Sequence, residues 1–110
     1  LAFNPMLVSD LRHFLDERGS IAIPDGPGRA LAEQLAAIVA YATSEPMDEV
    51  QEGVPCRRRP ARRPCGGIIG AYANPETSQV IWRCPKCGDR GVISGWENTL
   101  WDCREGGPFQ

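Results

Sequence analysis

The sequence predicts an α+β fold: two N-terminal helices followed by a three-stranded antiparallel sheet gathered around cysteine. Three observations lead there. Apolar residues recur at helical spacing before residue 44, whereas short β-branched and aromatic runs follow residue 67. All five cysteines (Cys56, Cys65, Cys84, Cys87, Cys103) lie in the second half. The charge divides at the same place. Residues 1–54 hold three arginines against nine acidic residues, a net of −6; residues 55–110 hold nine basic against five acidic residues, a net of +4. The formal charge of −2 on 110 residues therefore describes neither half.

Four segments follow: a helical N-terminal region (1–44), an acidic linker (45–54), a cysteine-bearing sheet region (55–103) and a tail (104–110). In the first helix, Ser9 is the expected N-cap, Leu11, Phe14 and Leu15 form an i, i+3, i+4 stripe, and Arg18-Gly19 is the stop. Gly19 to Gly28 (GSIAIPDGPG) is turn-rich, with Ile21 and Ile23 able to add a short extended stretch. A second helix begins at Pro27 or Gly28 and runs to about Thr43, with Leu31, Leu35, Ile38, Val39 and Ala42 on one face. That face is expected to pack on the first helix, or else on a partner protein. The linker, EPMDEVQEGV after Ser44, is acidic and broken by Pro46 and Gly53. The expected strands are Ile68–Ala73, Gln79–Arg83 and Gly91–Trp96, separated by Asn-Pro-Glu-Thr-Ser and Cys-Pro-Lys-Cys-Gly turns. Three strands this short are not stable alone. Something must hold them.

The cysteines supply it. Cys84-Pro85-Lys86-Cys87-Gly88 is a C-x-x-C pair whose turn can aim two thiolates at one tetrahedral ion, Gly88 closing the turn at positive φ. Eighteen residues separate Cys65, of Cys65-Gly66-Gly67, from Cys84, a spacing typical of the two halves of a zinc site. The fourth ligand is Cys56, across the eight-residue loop RRRPARRP, or Cys103, separated from Cys87 by fifteen residues. A hairpin over 56–65 would present both its sulfurs at its base, which favours Cys56 and leaves Cys103 as a spare thiol. The expected set is thus Cys56, Cys65, Cys84 and Cys87 around one structural Zn²⁺. A redox dithiol is the alternative, but such motifs open a helix, whereas turn and strand follow Cys87 here. Four thiolates also leave no open coordination position. The single histidine, His13, lies opposite the apolar stripe of its helix, and the chain contains no phosphate-binding Gly loop or nucleophile motif. No enzyme is expected.

Cys56-x8-Cys65, Trp82-Arg-Cys84-x-x-Cys87-Gly88-Asp89 and Gly91-Val-Ile93-Ser-Gly95-Trp96 together resemble the zinc-ribbon fold group. With the W-E-x-T-x-W-D tail they are similar to small bacterial zinc-ribbon proteins over about residues 55–102. The resemblance implies a ribbon of β-hairpins around one zinc ion, and it implies no activity.

Arg57, Arg58, Arg59, Arg62 and Arg63 crowd the loop between two expected ligands, stiffened by Pro55, Pro60 and Pro64. Such a loop can bind phosphates of DNA or RNA with little entropy lost, aided by stacking on Tyr72 or the tryptophans. It can equally meet an acidic protein partner, the acidic half of this chain, or the −2 charge of a Zn(Cys)4 centre. Trp82 and Trp96 are expected in the core and Trp101 at the surface. The composition (42% hydrophobic, 24% charged) has no stretch near the roughly 18 apolar residues that cross a bilayer. The N-terminal LAFNPMLVSDLRHF has no basic stretch leading an apolar run, so the expectation is a cytoplasmic chain without a membrane partner.

Overall fold

A computed structural model describes residues 6–44, 53–59 and 62–104. The second expected helix forms as α1 (Pro27–Thr43), with proline in its first turn, where a missing N–H removes no helical bond. Its last turn is closed by the Ser44 N–H donating to Ala40 O at 3.1 Å. The three expected strands form as β3 (Ile68–Asn74), β4 (Gln79–Arg83) and β5 (Arg90–Ser94), consecutive and antiparallel.

The first expected helix does not form. Residues Met6–Asp10 are a strand, β1, and Leu11–Phe14 are a single 3-10 turn, so the architecture of two helices and a three-stranded antiparallel ribbon is corrected. The cause is competition for the backbone. Met6 to Asp10 pair in parallel with Arg90 to Ser94, and the Asp10 carboxylate then accepts from Arg12 N at 3.0 Å, capping a short turn. Leu15 bridges to Ile21, which rules out a longer helix. On the opposite side, Val54–Pro55 (β2) pair with Ile69 and Ile68. The result is a five-stranded mixed sheet in the order β1-β5-β4-β3-β2. The expected acidic linker lies outside the described residues from 45 to 52, and its last residue, Val54, opens β2.

The apolar face of α1 has no helix to pack on and covers the sheet instead, chiefly β3. Leu35, Ala36, Ile38 and Val39 meet Ile69, Val80, Trp82 and Ile93 in one buried cluster, which Leu11 and Trp96 complete. Residues of both halves of the sequence thus share a core. Trp96 takes its expected place in the core after β5 ends at Ser94 and the chain turns at Gly95; its indole N–H donates to Ser78 O at 3.1 Å. Trp101, expected at the surface, packs half-buried against the cluster. Asp102 then ties down the C-terminal segment, accepting from Asn98 N at 2.8 Å and from the Arg104 guanidinium at 2.8 and 2.9 Å, while Arg104 lies over the Trp96 ring. Among the described residues no helix is long and apolar enough to cross a membrane.

Candidate metal centre

Two hairpins bring the thiols together. The β2–β3 ladder continues past its strands through Cys56 N–H to Gly67 O (2.9 Å) and Cys65 N–H to Arg58 O (2.8 Å), so Cys56 and Cys65 face each other at the base of the arginine loop. The β4–β5 hairpin closes through Cys84 N–H to Asp89 O (2.7 Å) and Gly88 N–H to Cys84 O (2.9 Å), setting Cys84 and Cys87 on one turn. In both places the glycine after the second cysteine takes positive φ, +72° at Gly66 and +81° at Gly88.

The four sulfurs of Cys56, Cys65, Cys84 and Cys87 lie within 4.8 Å of one another, an arrangement that can hold a metal ion. An ion with metal–sulfur bonds of about 2.3 Å at the centre of a tetrahedron sets its sulfurs about 3.8 Å apart. Cys56 and Cys87 are 3.8 Å apart and Cys65 and Cys84 are 3.6 Å apart. The donor set fits. Cys103 stands elsewhere, exposed, its N–H donating to the Thr43 hydroxyl at the end of α1.

Backbone amides converge on the sulfurs. Cys84 accepts from the N–H groups of Cys87 and Lys86, Cys87 from Asp89, and Cys56 from Arg58. Burial pushes the Cys84 thiol up, but these amides and the thiols of Cys65 and Cys87 outweigh it and bring it down to about 7. Burial pushes Cys56 up to about 12, its neighbouring sulfurs adding to the rise and the Arg58 amide offsetting part of it. Cys87 is raised for the same reason, burial first and the sulfurs of Cys84 and Cys65 after it. Four crowded thiols cannot all ionise without a cation between them.

Gly67 went unremarked in the sequence as a component of the centre. A Cβ there would sit 2.7 Å from the Cys84 sulfur, 2.8 Å from Lys86 Cβ and 3.2 Å from the Cys65 sulfur, so only glycine lets the hairpins meet. The doubled glycine of Cys65-Gly66-Gly67 was the available signal. The single lysine also belongs to the surroundings: its ammonium lies 3.3 Å from where a Gly66 side chain would begin, adding positive charge beside the thiols.

Arg57, Arg58, Arg59, Arg62 and Arg63 are all exposed on the loop between Cys56 and Cys65. Arg58 pairs with Asp89 at 3.3 Å, across to the other hairpin. Arg57 donates to Ala30 O at 3.3 Å, and Arg59 donates to Arg62 O at 3.2 Å within the loop. Among the described residues no ion pair joins this loop to the acidic N-terminal half. His13 stands apart on the 3-10 turn with its side chain 80% exposed. No family model, curated protein or solved structure matches the chain, and what stands is a cluster of four cysteines able to hold a metal ion.

Proposed function

We propose that this chain is a non-enzymatic zinc-binding module in which the ion pins the Arg57–Arg63 loop as a nucleic-acid-contacting element. The observation that carries the reading is the position of that loop: both of its ends, Cys56 and Cys65, are members of the four-sulfur cluster, while its five arginines face solvent. Metal coordination would fix the loop before it meets a ligand, so little conformational entropy would be lost on binding. Four thiolates are the donor set of a closed structural zinc site, which leaves no position for a substrate or an activated water.

Metal content and oligonucleotide binding test the two parts separately. Elemental analysis is expected to find one zinc per chain, lost in Cys65→Ser, Cys84→Ser, Cys87→Ser and Cys56→Ser and retained in Cys103→Ser. Iron in place of zinc would turn the reading toward redox chemistry. For the loop, DNA or RNA affinity should fall steeply between 50 and 200 mM salt and collapse when Arg57, Arg58 and Arg59 are replaced by alanine with zinc retained. Failure to bind any oligonucleotide at low salt would remove nucleic acid and leave an acidic protein as the loop's partner.

A further inference from the structure

The sheet face away from α1 carries residues that neither the core nor the cysteine cluster uses. Alternation along the strands and the observed register set them in two adjacent rows. One row runs Val8, Val92, Ile81, Tyr72 across β1, β5, β4 and β3. It is apolar, and its ends are open to solvent: Val8 is 71% exposed and Tyr72 57%. The next row places Arg90 directly opposite Arg83, with Gly70 beyond it.

That arginine pair is the anomaly. Like charges directly opposite each other on neighbouring strands destabilise a sheet. Both arginines are exposed, and among the described residues neither is in an ion pair. A position where a local rule is broken without internal compensation is where a ligand is expected. Beside Arg83 the face is open, since a Cβ on Gly70 would meet nothing within 4 Å.

We propose that this face binds single-stranded nucleic acid, with phosphates on Arg83 and Arg90 and an unpaired base stacked on Tyr72; the choice of ligand rests on the reading of the arginine loop given above. Two cations that form no ion pair among the described residues, next to an exposed aromatic ring and a flat aliphatic strip, match a strand that offers anions along its backbone and apolar ring faces beside them. A duplex keeps its ring faces stacked inside and has none for Tyr72. The two basic surfaces adjoin, because Arg83 and Arg90 bracket the Cys84–Asp89 turn and Asp89 holds Arg58 of the loop. One strand can therefore run from the loop onto the sheet.

The test uses the zinc-loaded full chain and fluorescence anisotropy with a labelled twelve-residue oligothymidylate and a twelve-base-pair duplex, every variant first shown to retain its metal and its circular dichroism. Tyr72→Ala should weaken single-strand binding about tenfold, Tyr72→Phe should restore it, and duplex binding should be unmoved by either. Arg83→Thr with Arg90→Thr should lower the slope of log affinity against log salt by about 1.4, two phosphate contacts on a single strand. The proposal is overturned if these face variants bind the oligothymidylate like the parent, or if Tyr72→Ala weakens single strand and duplex alike. Loss of binding in the Arg57–Arg59 alanine variant alone would sink the sheet face and keep the loop; loss in the face variants alone would do the reverse. A dimer that Val8→Lys dissociates, with oligothymidylate binding absent, would assign the face to a second copy of the chain instead.

Discussion

A side chain at position 67 would begin 2.7 Å from the Cys84 sulfur and 2.8 Å from Lys86 Cβ, both of them held by the hydrogen-bonded Cys84–Gly88 turn. Gly67→Ala should therefore push the hairpins apart rather than be absorbed. The expected result is a loss of stability of about 1–3 kcal/mol and metal affinity lowered tenfold or more, read by competition with a chromophoric chelator. Asp102 makes a different prediction. The Arg104 guanidinium holds its carboxyl down, against burial and with help from the Asn98 and Arg104 amides, from an ordinary value near 3.8 to about 2. A carboxyl lowered in the folded state adds stability that is complete above pH 3.8 and disappears as the pH falls toward 2. Asp102→Asn should thus lower stability by about 1–2 kcal/mol, the difference from the parent staying constant between pH 8 and 5 and shrinking below pH 4. Denaturant unfolding of both proteins at matched metal content measures it. At this scale the sequence was informative where the chemistry is local. The C-x-x-C turn and its glycine can be read directly, whereas the pairing of Arg58 with Asp89 cannot, because it joins two hairpins 31 residues apart.

Among the elements, α1 and the strands β3, β4 and β5 were legible. Helical spacing, a proline at the start and turn residues between strands all act within a few positions of one another. β1 was not. Leu11, Phe14 and Leu15, just after it, have helical spacing, but the backbone from Met6 to Asp10 finds partners on β5, more than 80 residues away, and pairing with them outweighs one short helix. Gly91 makes room for that approach: a Cβ there would lie 2.5 Å from Leu7 O and 2.7 Å from the Trp82 indole nitrogen. Gly91→Ala should consequently loosen β1 first. Hydrogen exchange is expected to accelerate at the Leu7–Ser9 amides before those of β3 and β4, with an overall loss of about 2 kcal/mol. Uniform acceleration across the sheet would show instead that β1 does not open separately. The two-residue β2 was equally hidden, since its register follows from where Cys56 must stand.

For the molecule as a whole, three of the four clustered cysteines belong to the same buried core as Leu35, Ile38 and Val39 of α1. A structural thiolate site contributes on the order of 10–16 kcal/mol of binding free energy, comparable to or larger than the roughly 5–15 kcal/mol stability of a small domain. Removing the metal should therefore melt the helix with the sheet. On titration with a strong chelator, ellipticity at 222 nm and tryptophan emission are expected to change together with one midpoint; a helix signal that survives would contradict a shared core. The sequence by itself determined the periodic elements, the two cysteine-bearing turns and the split of charge, because each depends on residues close together in the chain. Only the tertiary structure decided that the N-terminal segment is a strand, that Cys56 rather than Cys103 stands with the other three sulfurs, that Trp101 packs against the core, and that Tyr72 shares an open face with Arg83 and Arg90. Those outcomes depend on which distant backbones pair and in what register, and no local pattern of side chains encodes that choice.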